Sequence, residues 1–265
     1  MKRIISALII GPCVFLAILY AGPKLFLAGS TVVGLACLVE FSRLIRAMKL
    51  SNLPAFTYLA FLFIIVALER NLPAPAILAF VIMTGLLTAL WRPGELKERL
   101  LGLMADLFGT VYISFLLYPA YLIRFTTGQP NGLHWLILIV VVVWTGDSAA
   151  LAGGKMFGKH PFAPKISPKK TNEGAVAGLS AGIVAAFLLQ HFFFTQLPLP
   201  HVLAVALLAG ALGQLGDLVE SMLKRAAGVK DSSHIIPGHG GVLDRIDSLL
   251  FAFPAAYLYL LIFHG

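Results

Sequence analysis

The sequence predicts an all-α integral membrane protein, a polytopic bundle of about nine transmembrane helices with its amino terminus in the cytoplasm. Three observations predict it. Of 265 residues, 59% are hydrophobic and only 12% are charged, about half of the roughly 25% charged residues usual in a soluble domain. With a mean hydropathy of +0.90, the chain carries too few charges to wet its surface, so lipid must surround most of it. The apolar residues also fall into runs of spanning length, and basic residues segregate between the loops that join them.

A spanning helix needs about 20 mostly apolar residues to cross ~30 Å of hydrocarbon. Nine runs qualify in order: 4–21, 25–45, 53–69, 74–91, 102–123, 133–152, 174–196, 199–219 and 246–264. The third and fourth are the shortest and are interrupted near Arg70, Pro73 and Pro75. With the amino terminus inside, the cytoplasmic segments hold Lys2, Arg3, Arg43, Arg46, Lys49, Arg92, Lys97, Arg99, Lys155, Lys159, Lys165, Lys169, Lys170, Lys224, Arg225, Lys230 and Arg245. Only Lys24, Arg70 and Arg124 face outward. That is 17 of the 20 basic residues on one side, as the positive-inside rule requires. The first run, flanked by Lys2-Arg3 and Ala21-Gly22, also has the form of a cleaved signal peptide, but an uncleaved helix fits the charge alternation directly.

Residues 1–100 supply amino-terminal helices with few polar groups. Residues 101–265 form a second group of transmembrane helices with two long, polar inner loops, 153–173 and 220–245, so any active site, and with it a catalytic domain, is expected there. Cys13 and Cys37 lie in apolar runs and form no disulfide or zinc pattern. The formal charge of +8 reports inner loops and affinity for anionic headgroups, and no nucleic-acid partner is expected.

Acids in the spans cluster at one membrane face. Asp147 and Asp217 stand near the inner ends of the sixth and eighth runs, and Asp244 and Asp247 where the ninth begins. Ionisable groups at membrane depth are costly and mark functional sites, although any one of these could be a solvated helix end. Asp244 and Asp247, three apart, share a helix face. Carboxylates without nearby His or Cys suit a hard cation such as Mg²⁺, with provision for a second cation, held by carboxylates and substrate phosphates together. Without a cation they would repel a nucleotide triphosphate.

The loop from Gly153 to Gly174 carries five lysines among Gly and Pro and reads as a non-helical segment able to hold phosphates as point charges, or as a plain positive-inside loop. Gly174, Gly178 and Gly182 recur every four residues, a close-packing stripe for a neighbouring helix. In the stretch SMLKRAAGVKDSSHIIPGHGGVLDRID, Gly240 and Gly241 let backbone amides approach an anion. Arg245 can fork onto a phosphate, and His239 stands between glycines in a loop.

At these residues a resemblance becomes specific. Ser221-x-Leu223-Lys224-Arg225, then Lys230-Asp231, then His239-Gly240-Gly241-x-x-Asp244-Arg245-Ile246-Asp247 resembles the signature of the phosphatidate cytidylyltransferase family. Gly216-Asp217-Leu218-x-Glu220-Ser221, Phe157-Gly158-Lys159 and Ser167-Pro168-Lys169-Lys170-Thr171-x-Glu173-Gly174 resemble it too. The likeness covers roughly residues 100–265. One departure stands after Asp147, where the family usually carries an aromatic pair and this chain has Ser148-Ala149-Ala150.

The resemblance implies an enzyme of the bacterial inner (plasma) membrane, its active site on the cytoplasmic face. It would transfer CMP from CTP to phosphatidic acid, giving CDP-diacylglycerol and pyrophosphate, and a homodimer is compatible with it. The expected metal ligands are Asp217, Asp244 and Asp247. Lys224 and Arg245 join them in catalysis, and Asp147, Lys165, Lys169, Lys170, Arg225, Lys230, His239, Gly240 and Gly241 bind substrate. Two other classes stay open: a CTP-dependent polyprenol kinase of related fold and an ion-coupled transporter. The full HGG-x-x-DRID run argues against the kinase. The transporter calls for acids at mid-span depth rather than at one end.

Overall fold

The computed structural model describes residues 11–12, 14–126, 131–233, 235 and 240–264. The first helix, α1, is described over 11–12 and 14–20. Eight more follow: α2 (Pro23–Ala47), α3 (Pro54–Glu69), α4 (Ala74–Leu90), α5 (Leu96–Thr126), α6 (Asn131–Phe157), α7 (Asn172–Phe192), α8 (Leu199–Ala226) and α9 (Leu243–His264). The protein is an all-α polytopic membrane bundle. Its described strands are β1 (Pro161–Ala163) and β2 (Ser167–Thr171), an antiparallel pair between α6 and α7.

Six helices, α2 and α5 to α9, are long and apolar enough to cross a membrane. The other two bounded helices fall short: α3, with 16 residues, and α4, with 17, reach about 24–26 Å at 1.5 Å per residue. Proline in the first turn of α2, α3, α4 and α8 starts each helix where no amide donor is needed.

α5 begins at Leu96, ahead of its expected start at 102, and the ends of α6 and α8 run past the sequence expectation. The 28 residues of α8 extend about 42 Å, past the hydrocarbon. Glu220, Lys224 and Arg225 therefore occupy its last turns rather than a loop, and α6 likewise continues through Gly153 and Lys155 to Phe157. Polar helix ends outside the hydrocarbon resemble loops in composition. The rest of the segment read as non-helical is a β-hairpin and the first turn of α7, where the Thr171 hydroxyl accepts the Gly174 amide at 3.1 Å. Beyond α8 the chain turns back through Gly228, whose φ is +70°. The Val229 and Gly228 amides there close onto the carbonyls of Lys224 and Arg225, a Schellman ending.

Two glycine seams set the geometry of the site end. On α7, a Cβ at Gly174 would lie 2.7 Å from the Ala150 carbonyl oxygen. One at Gly178 would lie 2.6 Å from that of Gly146, and one at Gly182 3.1 Å from that of Val142. The expected stripe thus packs on the backbone of α6. On α8, a Cβ at Gly216 would lie 2.6 Å from the Asp247 carbonyl oxygen, which brings Asp217 beside the start of α9.

The apolar core has two main bodies. One joins α1, α6, α8 and α9 around Leu138, Ile139, Val205 and Ala256, and the other joins α2, α3, α5 and α9 around Leu38, Phe61, Ile113 and Leu250. A buried polar clasp fastens the short helices to α5. Asp106 accepts Arg92 at 2.5 Å, the Leu53 amide at 3.0 Å and the Thr57 hydroxyl at 3.0 Å, so α5 caps the start of α3.

Candidate active site

The ends of α6 and α8 meet the hairpin and the start of α7 around a cavity of about 300 Å³. Asp147, Lys155, Lys169, Lys170, Gln214 and Asp217 give it its polar wall, and Ala150, Leu151 and Phe162 part of its apolar one. The volume is at the lower end of ligand pockets. The Lys170 ammonium lies 2.5 Å from Asp217 Oδ2, and Gln214 Nε2 donates to the Ala175 carbonyl at 3.0 Å, tying α8 to α7.

The hairpin that delivers Lys169 and Lys170 is pinned at both ends. At its base, Glu173 accepts the amides of Lys159 at 3.0 Å and His160 at 3.2 Å and pairs with His160 Nδ1 at 2.5 Å. Near its tip, Arg225 Nε donates to the Ile166 carbonyl at 3.3 Å, while another Arg225 nitrogen holds the Val229 carbonyl at 2.9 Å.

A second polar node lies where α8 ends and α9 begins. Lys224 sits between Glu220, one turn back on α8, and Asp244 Oδ1 at 2.5 Å. Asp244 Oδ2 accepts the Ser232 hydroxyl at 2.7 Å, the Ser232 amide at 2.9 Å and the Gly241 amide at 2.7 Å. Gly240 has φ +84°, the left-handed region that favours glycine, and a Cβ there would lie 2.7 Å from Asp244 Oδ2. Asp244 thus organises the chain that carries it.

Asp247, one turn further along α9, accepts the adjacent Ser248 amide at 2.7 Å. Asp147, Asp217 and Asp247, from three helices, lie close enough to feel one another's charge. Among the described residues no three His, Cys, Asp or Glu side chains converge at metal-ligand spacing. Mg²⁺ is usually held by one or two carboxylates together with substrate phosphates. The donors here are carboxylate oxygens, which fit such a hard cation.

The structure brings Asp147, Lys169, Lys170 and Asp217 around one cavity, with Asp247 near them and Lys224 and Asp244 in the adjoining node. Arg245 is exposed on the first turn of α9, and its charge reaches Asp147. Lys165 is exposed in the hairpin turn, outside the cavity lining, and Lys230 is exposed after α8. Arg225 holds backbone carbonyls. Gly241 is buried against Ser232 and Glu40, and His239 lies outside the described residues.

Sequence reasoning missed Glu220, Ser232, Ser233, Gln214 and, above all, Glu40. Glu40 lies in α2, wholly buried, and accepts four hydrogen bonds from the segments around Ser232 and Val242. Its signal was present in the sequence: it is the one acid inside the run 25–45.

Residues 1–263 match the Cytidylyltransferase family. The phosphatidate cytidylyltransferase of Bacillus subtilis (strain 168) is 45% identical over 145 residues, 54% of this chain and 53% of that protein. That of Haemophilus influenzae is 45% identical over 135 residues, 49% of this chain and 47% of that protein. That of Staphylococcus aureus (strain COL) is 44% identical over 126 residues, 48% of each. The chain spans about half the length of the curated relatives it matches.

Proposed function

The chain belongs to the Cytidylyltransferase family, and we propose that it transfers CMP from CTP to phosphatidic acid, yielding CDP-diacylglycerol and pyrophosphate. The observation that carries this reading is the cavity at the end of the bundle where Lys169 and Lys170 meet Asp147 and Asp217. Cations and carboxylates converge there at one end of a bundle otherwise built for lipid.

The reaction is a displacement at phosphorus. An oxygen of the lipid phosphate bonds to the α-phosphorus of CTP as the bond from that phosphorus to the bridging β-phosphate oxygen breaks, and pyrophosphate leaves with the electron pair. The nucleophile belongs to the substrate, so no serine or cysteine is required. The protein's task is to hold two polyanions in line and stabilise the charge developing on the leaving group. Lys169 and Lys170, from the pinned hairpin, and Arg245, from the start of α9, supply the cationic contacts. Lys224, between Glu220 and Asp244, fixes the adjoining wall. Of the three expected ligands, Asp217 and Asp247 would hold Mg²⁺, while Asp244, engaged with Lys224, Ser232 and Gly241, would position the start of α9. The ion would neutralise phosphate oxygens and favour departure of pyrophosphate. The 17-to-3 division of basic residues supports a cytoplasmic face for this site, in a bacterial inner membrane.

CTP labelled at the α-phosphate should deliver its label to the lipid when purified protein, phosphatidic acid and Mg²⁺ are mixed, and γ-label should leave as pyrophosphate. Lipid carrying γ-label would establish a kinase instead. No labelled lipid from either substrate would overturn both.

A further inference from the structure

We infer that Glu40, far from the signature residues in sequence, is a positioning residue for the site: it holds Ser232, Ser233, Val242 and the start of α9, and through them Asp244 and Asp247. The inference deepens the cytidylyltransferase reading and rests on it for its kinetic consequences.

Glu40 lies two turns before the end of α2 and has no exposed surface. No described Lys or Arg pairs with it. Oε1 accepts the Ser233 hydroxyl at 2.6 Å and the Val242 amide at 2.9 Å, and Oε2 accepts the Ser232 hydroxyl at 2.9 Å and the Leu243 amide at 2.8 Å. All four neighbours are donors, which suits an acceptor-only carboxylate. Leu243 is the first residue of α9 and Val242 precedes it, so two amides that the helix leaves unpaired are capped by a side chain about 200 positions away. The positive end of the α9 dipole lies against that carboxylate.

The link to the site runs through two groups. The Ser232 hydroxyl stands between Glu40 Oε2 at 2.9 Å and Asp244 Oδ2 at 2.7 Å, and with one proton it donates to one of them at a time. Gly241, which donates its amide to Asp244, is wedged so that a Cβ would collide with Ser232 Oγ and the Glu40 carboxylate. Moving Glu40 therefore moves Ser232, Gly241 and the first turn of α9, where Asp244 stands, and with it Asp247 in the next turn.

The test compares Glu40→Gln, Glu40→Asp and Ser233→Ala in the full chain, purified in detergent. Hydrogen exchange of the segment 240–246 is measured without substrate. Turnover per folded molecule and its Mg²⁺ dependence are measured with CTP and phosphatidic acid. Glu40→Gln keeps the shape but turns a donor toward two donors. Exchange of the Val242 and Leu243 amides should rise at least about tenfold while the α6–α7 region keeps its protection. Losing a supporting carboxylate of this kind costs about 10- to 100-fold in activity or metal affinity. Accordingly, kcat should fall within that range and the half-saturating Mg²⁺ concentration should rise. Glu40→Asp should recover part of the loss.

Ser233→Ala removes a single donor and should give a smaller shift in the same direction, so the inference remains testable if Glu40→Gln fails to fold. Local exchange, kcat and Mg²⁺ dependence all unchanged in the folded variants would overturn the inference. So would a uniform rise in exchange with turnover per folded molecule unchanged, since Glu40 would then be only a stabilising contact. A wild-type protein that labels no lipid would defeat the cytidylyltransferase reading, while the exchange data would still decide whether Glu40 holds the loop.

Discussion

Replacing Gly178 by alanine tests whether the α6–α7 seam sets the width of the site. The new Cβ would lie 2.6 Å from the Gly146 carbonyl oxygen and 2.8 Å from the Ala150 Cβ. An unstrained carbon–oxygen contact is about 3.3–3.6 Å, so α7 must retreat by about 0.7 Å or more. Neither obstacle is a flexible side chain that could swing away. Overpacking of this kind costs about 1–3 kcal/mol, partly offset by the 0.5–1 kcal/mol or so that alanine gains over glycine in a helix, for a net loss of up to about 2.5 kcal/mol. The kinetic effect should be larger. Asp147 stands one residue after Gly146 on α6, and Lys170 two residues before α7 begins, so the retreat widens the cavity between them. A misplacement near 1 Å costs roughly 100-fold in rate, and turnover should fall about 10- to 100-fold. Thermal unfolding in detergent and the CMP-transfer assay would be run beside Gly29→Ala, where a Cβ meets nothing within 4 Å. If Gly178→Ala matches Gly29→Ala in both measurements, the seam does not define the site.

The paired lysines of the hairpin give a second contrast. Lys170→Ala should reduce turnover by at least about 100-fold, as expected for loss of a charge-assisted phosphate contact, whereas Lys165→Ala, outside the cavity, should change it less than about threefold. Equal effects would mean that the hairpin acts only as a diffuse charge. Asp217→Asn should abolish turnover in protein that inserts and purifies normally, since it keeps the shape and removes the charge; near wild-type kcat across Mg²⁺ concentrations would exclude it as a ligand. Arg245→Lys should weaken turnover although the charge stays, because an ammonium cannot reproduce a forked contact, and full activity would reduce Arg245 to a point charge. A reporter fused after Gly265 should read as external, and a cytoplasmic reading would overturn the nine-span, amino-terminus-inside arrangement.

The helices were legible because lipid leaves a backbone few options. Apolar runs became helices, and the stripe at Gly174, Gly178 and Gly182 found its partner in α6. The hairpin was not legible: SPKKT and PFA carry no alternation of apolar and polar residues, and their pairing depends on anchors from elsewhere, Glu173 at the base and Arg225 near the tip. The ends of α6 and α8 were read short because a helix that leaves the hydrocarbon becomes polar without ceasing to be a helix. In the site, the sequence placed Asp147, Asp217, Asp244 and Asp247 at one face by topology. It did not show that Asp244 is engaged with Lys224, Ser232 and Gly241, nor that residues 1–100 reach the site through Glu40. Those contacts join positions up to 203 apart and follow no local pattern.

The acids of the bundle differ in how fully they are satisfied, and that difference separates two kinds of role. Asp106 is met by Arg92, a backbone amide and a hydroxyl, and Glu40 by two hydroxyls and two amides. Asp244 has an ammonium and three further donors. Each of these three carboxylates has donors on both oxygens, and such engaged carboxylates rigidify the structure around them. Asp217 has Lys170 and a long 3.5 Å contact from Ser221, and Asp247 accepts one described hydrogen bond, from the residue beside it. Holding carboxylates with few donors near one another is unfavourable because like charges repel, and packing alone gives no reason for it. The cost is recovered if the missing partners arrive with the substrates. On this argument Asp217 and Asp247 belong to the chemistry, Glu40 and Asp106 to its scaffold, and Asp244 joins the two.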